Sequence, residues 1–182
     1  MRNILLTVSA LISSAVPISA IAQEAMRIHP TLEIYEGEAS DTCDTAKTQV
    51  RVNVTNSDGG GMLTLELYND PKNFLDKKGR VRRVRVPSVV GAQIICLTHD
   101  NLGRYAVAAY HDVDGNRKLK KKWNKAPREP FALSNNPYVK ELRFPKFSES
   151  AFDLVAGGTN ITIELIDLKK QKEEKKTAKK NK

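Results

Sequence analysis

Alternation of apolar and polar residues along the chain predicts β-strands. Val50, Val52 and Val54 alternate with polar residues, which places the three valines on one face of a strand. The same period of two recurs over residues 63–67, 83–86 and 161–165. The period of 3.6 that is typical of amphipathic helices is not sustained anywhere before the C-terminal tail. These patterns indicate that strands carry the fold.

Three further segments complete the predicted fold class. Residues 94–97 and 105–110 are apolar without alternation, as expected of central strands that are covered on both faces. Phe152 and Leu154 predict one more short strand. Gly, Pro and Asn turns separate these segments, so we predict an all-β fold, an antiparallel β-sandwich of about seven strands. Residues 112–145 break the pattern and are expected to form a long functional loop.

Length and charge indicate one domain with a basic tail. The chain has 182 residues and a formal net charge of +9, of which residues 169–182 carry +6 through eight Lys and two Glu. Such a segment buries too little apolar surface to order itself, so we predict a disordered Lys-rich tail. The alternative is an electrostatic contact between this tail and an anionic surface. Residues 23–168 are nearly neutral.

The N-terminus has the features of an export signal. Arg2 precedes an apolar run that ends in Ala20-Ile21-Ala22, the small-x-small form cleaved by signal peptidase. The run is too short for a stable membrane span. We therefore predict a signal peptide over 1–22, an N-terminal extension over 23–42 and the β-sandwich domain over 43–168. The protein is expected to be periplasmic or secreted, and not membrane-spanning.

Two cysteines, Cys43 and Cys96, are the only ones in the chain. An even count in an oxidising compartment predicts one disulfide, worth about 4 kcal/mol in the chain-entropy account. The alternative is a pair of buried free thiols.

Two motifs flank the start and middle of the long loop. The strand beginning at Gly103 ends in His111-Asp112-x-Asp114-Gly115-Asn116, and Pro127-x-Glu129 precedes Ser134-Asn135-Asn136. With these motifs, residues 43–166 resemble the exported bacterial family known as domain of unknown function 2141 (DUF2141). The resemblance implies a transthyretin-like or immunoglobulin-like sandwich without an established activity.

The sequence departs from the family at positions that bear on metal binding. Asp112, Asp114 and Asn116 have the spacing that starts a calcium loop. Arg117 and Lys120 stand where family members typically have Gly and an acidic residue, and neighbouring lysines repel a divalent cation. These three residues are therefore weak metal candidates, and we expect neither a metal nor another cofactor. An Asp-Gly turn whose carboxylates cap backbone amides is the favoured interpretation.

Side chains of catalytic type occur here without a nucleophile motif. His111, Asp112 and Ser134 are the types a hydrolase triad needs, but residue types alone are weak evidence. We expect His111, Asp112, Asn116, Ser134 and Asn135 to lie together at one end of the sandwich and to order the loop. Trp123, Tyr138 and Phe131 are expected either to form a recognition surface or to pack the loop against the sandwich.

The functional expectation is a non-catalytic binding or envelope-associated module that uses the 112–145 loop. The alternative is a hydrolase or metal-dependent enzyme centred on His111, Asp112 and Asp114. The expected partner is an unknown envelope or extracellular component, not nucleic acid, although Arg80, Arg82, Arg83 and Arg85 form a basic run. The candidate binding or loop-organising residues are His111, Asp112, Asn116, Trp123, Glu129, Ser134, Asn135 and Asn136.

Overall fold

The structure is a computed structural model that describes residues 32–138 and 144–180. The predicted signal peptide over 1–22, and residues 23–31 of the predicted N-terminal extension, lie outside the described residues. Within the described ranges, no helix combines the length and apolar character that crossing a membrane requires.

Strands dominate the described part of the chain. The strands are β1 (Gln49–Asp58), β2 (Met62–Tyr68), β3 (Arg80–Pro87), β4 (Val90–Thr98), β5 (Gly103–Asp112), β6 (Phe131–Leu133), β7 (Ala151–Leu154) and β8 (Thr159–Glu164). The helices are α1 (Phe147–Ser150) and α2 (Leu168–Lys180), with 3₁₀ turns at Glu36–Glu38, Pro71–Asn73 and Lys77–Gly79. Seven of these strands were predicted. The sequence analysis missed β6, because three residues are too few to show an alternation.

The strands form two sheets. The first has the order β4-β1-β8, and the second has the order β3-β2-β5-β6, with β7 also paired to β5. All strand pairs are antiparallel except β1 and β8, which run parallel. This parallel pair corrects the expectation of wholly antiparallel sheets. A parallel pair needs a long crossover connection, and almost the whole domain lies between β1 and β8.

One hydrophobic core is shared by the two sheets. Val50, Val52 and Val54 of β1 and Leu63 and Leu65 of β2 are fully buried in the same cluster. Burying side chains of this size contributes about 1.5–3 kcal/mol each. The predicted all-β fold is confirmed, and a core drawn from two facing sheets is the arrangement that a sandwich requires.

The outer face of the five-stranded sheet, the face away from the shared core, carries a second apolar layer. Tyr68, Ala106, Phe147 and Ala151 form one small cluster there. A second cluster consists of Tyr110, Ala126, Phe131 and Leu168. This layer explains why the 105–110 segment of β5 is apolar on both faces, as the sequence predicted for a covered central strand.

The segment 33–43 runs across the edge strands of both sheets. Cys43 forms a disulfide with Cys96 of β4, which confirms the predicted pairing, with 5.3 Å between the two Cα atoms. The Asp41 carboxylate accepts a hydrogen bond of 2.6 Å from the backbone N–H of Thr98 and forms a salt bridge of 3.0 Å with Arg82 of β3. The segment therefore ties the edge of one sheet to the edge of the other.

Each arginine of the basic run on β3 has an acidic partner within the fold. Arg80 pairs with Glu66, and both Arg83 and Arg85 pair with Glu38. Strict alternation would place Arg80 and Arg83 on opposite faces, but a bulge shifts the register between Tyr68↔Arg80 and Leu67↔Arg82. The bulge places Arg80 on the outer face, beside Glu66. Arg83, the register partner of Glu66, lies on the same face.

The C-terminal tail differs from the sequence expectation. Helix α2 begins at Leu168 and continues to Lys180, where the composition predicted disorder. Leu168 is buried against Phe131, and the Lys170 ammonium lies 2.5 Å from the Asp58 carboxylate. Lys, Glu, Gln and Ala are good helix formers, so the backbone preference is helical although the segment has no apolar face. A lone helix of this length is marginal in water and depends on its first turn for anchoring.

Candidate functional site

His111 holds a neighbouring turn against the end of β5. The imidazole is 1% exposed, and its Nε2 lies 2.6 Å from the carbonyl oxygen of Gly60 in the β1–β2 turn. Because a carbonyl only accepts, Nε2 carries the proton and donates. The backbone N–H of His111 donates to the carbonyl of Pro130 at 2.8 Å. The His111 side chain thus holds the β1–β2 turn, and its backbone holds the stretch just before β6.

Three carboxylates converge just beyond His111. One oxygen each from Asp112, Asp114 and Glu129 lies within 4.8 Å of the other two. Asp112 and Glu129 are buried, whereas Asp114 is exposed. The Lys120 ammonium lies 2.5 Å from Asp114 Oδ2, and the Lys120 backbone N–H donates to Glu129 at 2.9 Å. A lysine of the chain therefore supplies the positive charge at this acidic cluster.

The pKa values of the cluster diverge with burial. Burial raises the pKa of Asp112, with a further contribution from Asp114, against hydrogen bonds from two backbone amides. Burial also raises the pKa of Glu129, with repulsion from Asp112 and Asp114 acting in the same direction. The hydrogen bond from Lys120 lowers the pKa of Asp114. The fold therefore disfavours the charged forms of Asp112 and Glu129.

The weak metal candidates Asp112, Asp114 and Asn116 lie in the same turn, where the Asn116 side chain forms a hydrogen bond with Asp114. The Asn116 side-chain oxygen accepts from the backbone N–H of Lys118 at 2.9 Å. Its own backbone N–H donates to Asp112 at 3.1 Å, so Asn116 shapes the turn. Glu129 is the third carboxylate of the cluster, a placement that a local spacing rule could not reveal.

Arg117 joins this turn to the N-terminal segment. Its φ of 66° lies in the left-handed region that favours glycine. Its backbone N–H donates to Asp112 at 2.5 Å, and its guanidinium pairs with Glu38 and lies 4.2 Å from the centroid of the Tyr35 ring. These contacts offset the strain of a non-glycine residue in this conformation.

Glu38 receives three guanidinium groups. Arg83, Arg85 and Arg117 all form ion pairs with its carboxylate. Burial alone would raise the pKa of Glu38, but the hydrogen bond and charge of Arg85, with the charges of Arg83 and Arg117, hold the pKa below its usual value. We call this set of four residues the Glu38 cluster. With three cations and one anion, it has a formal charge of +2.

Ser134 lies apart from His111. Its backbone N–H and hydroxyl both bond the backbone of Val107, the hydroxyl accepting from the Val107 N–H at 2.9 Å, and the hydroxyl also donates to the carbonyl of Ser150. Val107 precedes His111 by four residues on β5, about 13 Å at the rise of a strand. The expected grouping of His111, Asp112, Asn116, Ser134 and Asn135 at one end is therefore not formed.

The two asparagines after Ser134 link the sheets. Asn135 donates to the carbonyl of Ala151 at 2.9 Å, and Asn136 donates to Thr162 and accepts from the backbone of Glu164. Their φ values of 63° and 44° lie in the left-handed region, which asparagine tolerates better than most residues. This block fastens the end of β6 to β7 and β8.

The side chains proposed for a triad do not form one within the described residues. His111 bonds Gly60, Asp112 bonds backbone amides, and Ser134 bonds carbonyl and amide groups of Val107 and Ser150. In an active triad, the histidine would bridge the serine and the carboxylate. Each side chain here instead has a separate backbone partner.

The three aromatic residues of the loop region have different environments. Phe131 is 7% exposed and packs in the cluster with Tyr110. Trp123 is 96% exposed, and Tyr138 is 72% exposed. Phe131 therefore fits the packing alternative, whereas Trp123 and Tyr138 remain on the surface of the loop.

A groove of about 470 Å³ crosses the outer face of the five-stranded sheet. It lies between the two outer apolar clusters, with Ala108 and Tyr110 of β5 at its floor and Leu133 of β6 beside them. Leu119 and Ala126 of the long loop form one wall. This volume is within the range of about 300–1,000 Å³ that is typical of small-molecule sites.

The sequence analysis missed the groove. Its only local signal is the alternation of Ala106 and Ala108 between the larger residues of β5. Small side chains on the outer face leave a recess between Tyr68 and Tyr110. Because the walls come from the 3₁₀ turns, the long loop and the start of α2, the recess becomes visible only in the assembled fold.

The rim of the groove is basic. Lys77, Arg80, Arg83, Arg117, Lys118, Lys121 and Lys125 line it, whereas Glu66 is the acidic residue in the described lining. Glu66 is occupied by Arg80 and by the Tyr68 hydroxyl at 2.7 Å. The groove therefore combines an apolar floor with a positive rim.

Comparison with known proteins gives one family. A sequence profile described as "Uncharacterized protein conserved in bacteria (DUF2141)" matches residues 50–163. No curated protein and no solved structure gives a match. The matched region runs from β1 to β8 and includes the β5 turn and the Ser134–Asn136 block that carried the resemblance. The chain therefore belongs to the DUF2141 family.

Proposed function

We propose that this protein is an exported, non-catalytic binding module that holds a small ligand in the groove on the outer face of its five-stranded sheet. The observation that carries the proposal is the groove itself, which the predicted functional loop helps to enclose. Its floor belongs to β5, a central strand, so the site is supported by rigid structure on one side and by a loop on the other.

Export is part of the proposal. The Arg2-led apolar run and the Ala20-Ile21-Ala22 motif support removal of residues 1–22, and the Cys43–Cys96 disulfide is compatible with an oxidising compartment. Under this proposal the binding domain spans residues 43–168, and the ligand or partner is a component of the envelope or the extracellular medium.

The enzyme alternative centred on His111, Asp112 and Asp114 draws less support from the geometry. The His111 imidazole is buried and donates to a backbone carbonyl, and Asp112 accepts from two backbone amides. These bonds account for both side chains through the architecture of the turn. Asp114 is exposed but is paired with Lys120.

Binding of Nile red, a neutral fluorescent dye that responds to apolar sites, tests the proposal. We expect saturable fluorescence with the mature chain. Ala108→Phe should abolish this fluorescence, because the larger side chain would fill the floor of the groove at Ala108, which is partly exposed. Ala92→Phe is the matched control, because Ala92 is exposed on β4 of the other sheet. Absence of saturable binding to the wild-type chain, or equal binding to Ala108→Phe, would refute the proposal.

A further inference from the structure

We infer that the ligand of the groove is a single-chain amphipath with an anionic head, of the long-chain carboxylate class. This inference rests on the proposed binding function and adds the chemistry of the ligand. It follows from the distribution of charge and apolar surface in the groove.

The positive charge of the rim exceeds what the protein neutralises. Among residues 32–138 and 144–180, no carboxylate lies within salt-bridge distance of Lys77, Lys118 or Lys121. The Glu38 cluster contributes Arg83 and Arg117 to the same rim and has a charge of +2. Cationic groups that surround a cleft with apolar walls concentrate anions there.

The apolar surface lies on the floor of the groove, and the charge lies along its rim. The sheet order places β3, with Arg80 and Arg83, at one edge, and β6, with Leu133, at the other. Three inter-strand spacings of about 4.8 Å separate these edges, giving a span of about 14 Å. Leu168 and Phe144 continue the apolar surface beyond β6, where the Lys125 ammonium lies 5.9 Å from the centroid of the Phe144 ring.

An apolar floor beneath a basic rim matches an amphipath and disfavours other small ligands. A carboxylate at the β3 end would meet guanidinium and ammonium donors, and guanidinium matches carboxylate geometry well. The hydrocarbon chain would then cross Ala108 and end near Leu133 and Phe144. A fully polar anion would leave the apolar floor without contacts, and a neutral apolar molecule would make no use of the basic rim.

Displacement of bound Nile red tests the head group. Three probes of equal chain length are used below their critical micelle concentrations: dodecanoate, neutral dodecyl maltoside and cationic dodecyltrimethylammonium. We expect dodecanoate to displace the dye at the lowest concentration and the cationic probe to displace it least. The advantage of dodecanoate should shrink as salt is added, because the rim lysines are exposed.

A charge variant of the rim tests where the head group binds. Lys118→Gln/Lys121→Gln should weaken dodecanoate binding about tenfold and Nile red binding much less, because the dye carries no charge. Lys169→Gln/Lys172→Gln removes the same charge from exposed positions of α2 and is the matched control.

The outcomes separate this inference from the proposed function. Equal displacement by the three probes, or an equal loss in both double variants, would overturn the inference while dye binding upholds the groove as a site. Loss of dye binding in the wild-type chain would overturn both. Dodecanoate binding that persists in Ala108→Phe would place the anion elsewhere and also overturn the inference.

Discussion

The ammonium of Lys120 lies 2.5 Å from the carboxylate of Asp114, one of three carboxylates that converge beside the turn after β5. Asp114 and its two buried neighbours, Asp112 and Glu129, thus have a cation that belongs to the chain. A lysine in this place changes the cluster from a candidate metal site to an internal ion pair.

Thermal melts of the wild-type protein should coincide in excess calcium and in chelator, because the Lys120 ammonium repels a divalent cation. Lys120→Gln should melt at a lower temperature at neutral pH, since three close carboxylates lose their counter-charge. A calcium-dependent rise in the melting temperature of the wild-type protein would contradict this account.

The loss of thermal stability in Lys120→Gln should also depend on pH. The raised pKa values of Asp112 and Glu129 mean that the fold favours their neutral forms. Their contribution to stability is greatest below the ordinary carboxyl pKa and declines as pH rises through the raised values. Lowering the pH should therefore reduce the difference in melting temperature between Lys120→Gln and the wild type. Lys121→Gln, which removes an exposed charge without an acidic partner among the described residues, is the control.

Glu38→Gln should destabilise the protein by roughly 2–3 kcal/mol in urea unfolding, because Arg85 is 2% exposed and loses its counter-ion. The value is below that for a fully buried pair, since Arg83 and Arg117 reach solvent. Glu36→Gln, an exposed change in the same 3₁₀ turn, should have little effect.

The contribution of Glu38 should also be lost in acid. The pKa of this carboxyl is lowered in the fold, so its stabilisation is present above the ordinary value and disappears as pH falls through the lowered one. The wild type and Glu38→Gln should converge at low pH. A constant difference between them at all pH values would assign the effect to packing.

His111→Ala should cost about 1–3 kcal/mol of global stability, because the partly buried carbonyl of Gly60 loses its donor. Trypsin cleavage at Lys118, Lys121 and Lys125 should then rise only as far as global unfolding does, since the imidazole contacts the β1–β2 turn and not the loop. His99→Ala, at a less buried histidine, should cost less. Faster loop cleavage with unchanged urea stability would show that the imidazole orders the loop.

Thiol labelling of the unfolded, unreduced mature protein should find no free cysteine, and labelling after reduction should find both Cys43 and Cys96. Replacing both by Ala should lower stability by about 4 kcal/mol, since the bond closes a loop of 53 residues in the unfolded chain. A double variant that melts like the wild type would show that other contacts already hold the N-terminal segment.

Truncation after Leu168 should leave the melting temperature nearly unchanged, because the described side chains of α2 beyond Leu168 are exposed. The truncated protein should lose most of its salt-sensitive retention on anionic vesicles, as the removed residues carry a formal charge of +6. Equal retention with and without the tail would assign surface binding to the folded domain.

The sequence predicted the strands that obey simple alternation. The valines of β1 and leucines of β2 face the core, as their spacing requires. It did not reveal the parallel pairing of β1 with β8, because strand direction depends on the path of the chain between them. The sequence also did not reveal the bulge that turns Arg80 toward Glu66. One extra residue in a strand moves a side chain to the opposite face.

For the site, sequence identified local chemistry but not distant partners. The turn after His111 was predicted from its Asp and Gly residues, whereas the bond to Gly60 joins positions 51 residues apart. The Glu38 cluster joins the N-terminal segment to β3 and to the long loop, and no spacing rule relates these positions. The groove needs walls from several elements, so its residues share no motif.

The fastening of segment 33–43 constrains the order in which the structure can be completed during synthesis. The chain emerges from its N-terminus, so Glu38 and Cys43 appear before any of the residues that hold them. A nascent chain that ends before Cys96 cannot form the disulfide, and one that ends before Arg117 cannot complete the Glu38 cluster. Contacts of such long sequence separation are also slow to form. The earliest part of the domain to be made is therefore among the last to be locked, and it stays accessible to thiol oxidants and chaperones until β5 and its turn have followed.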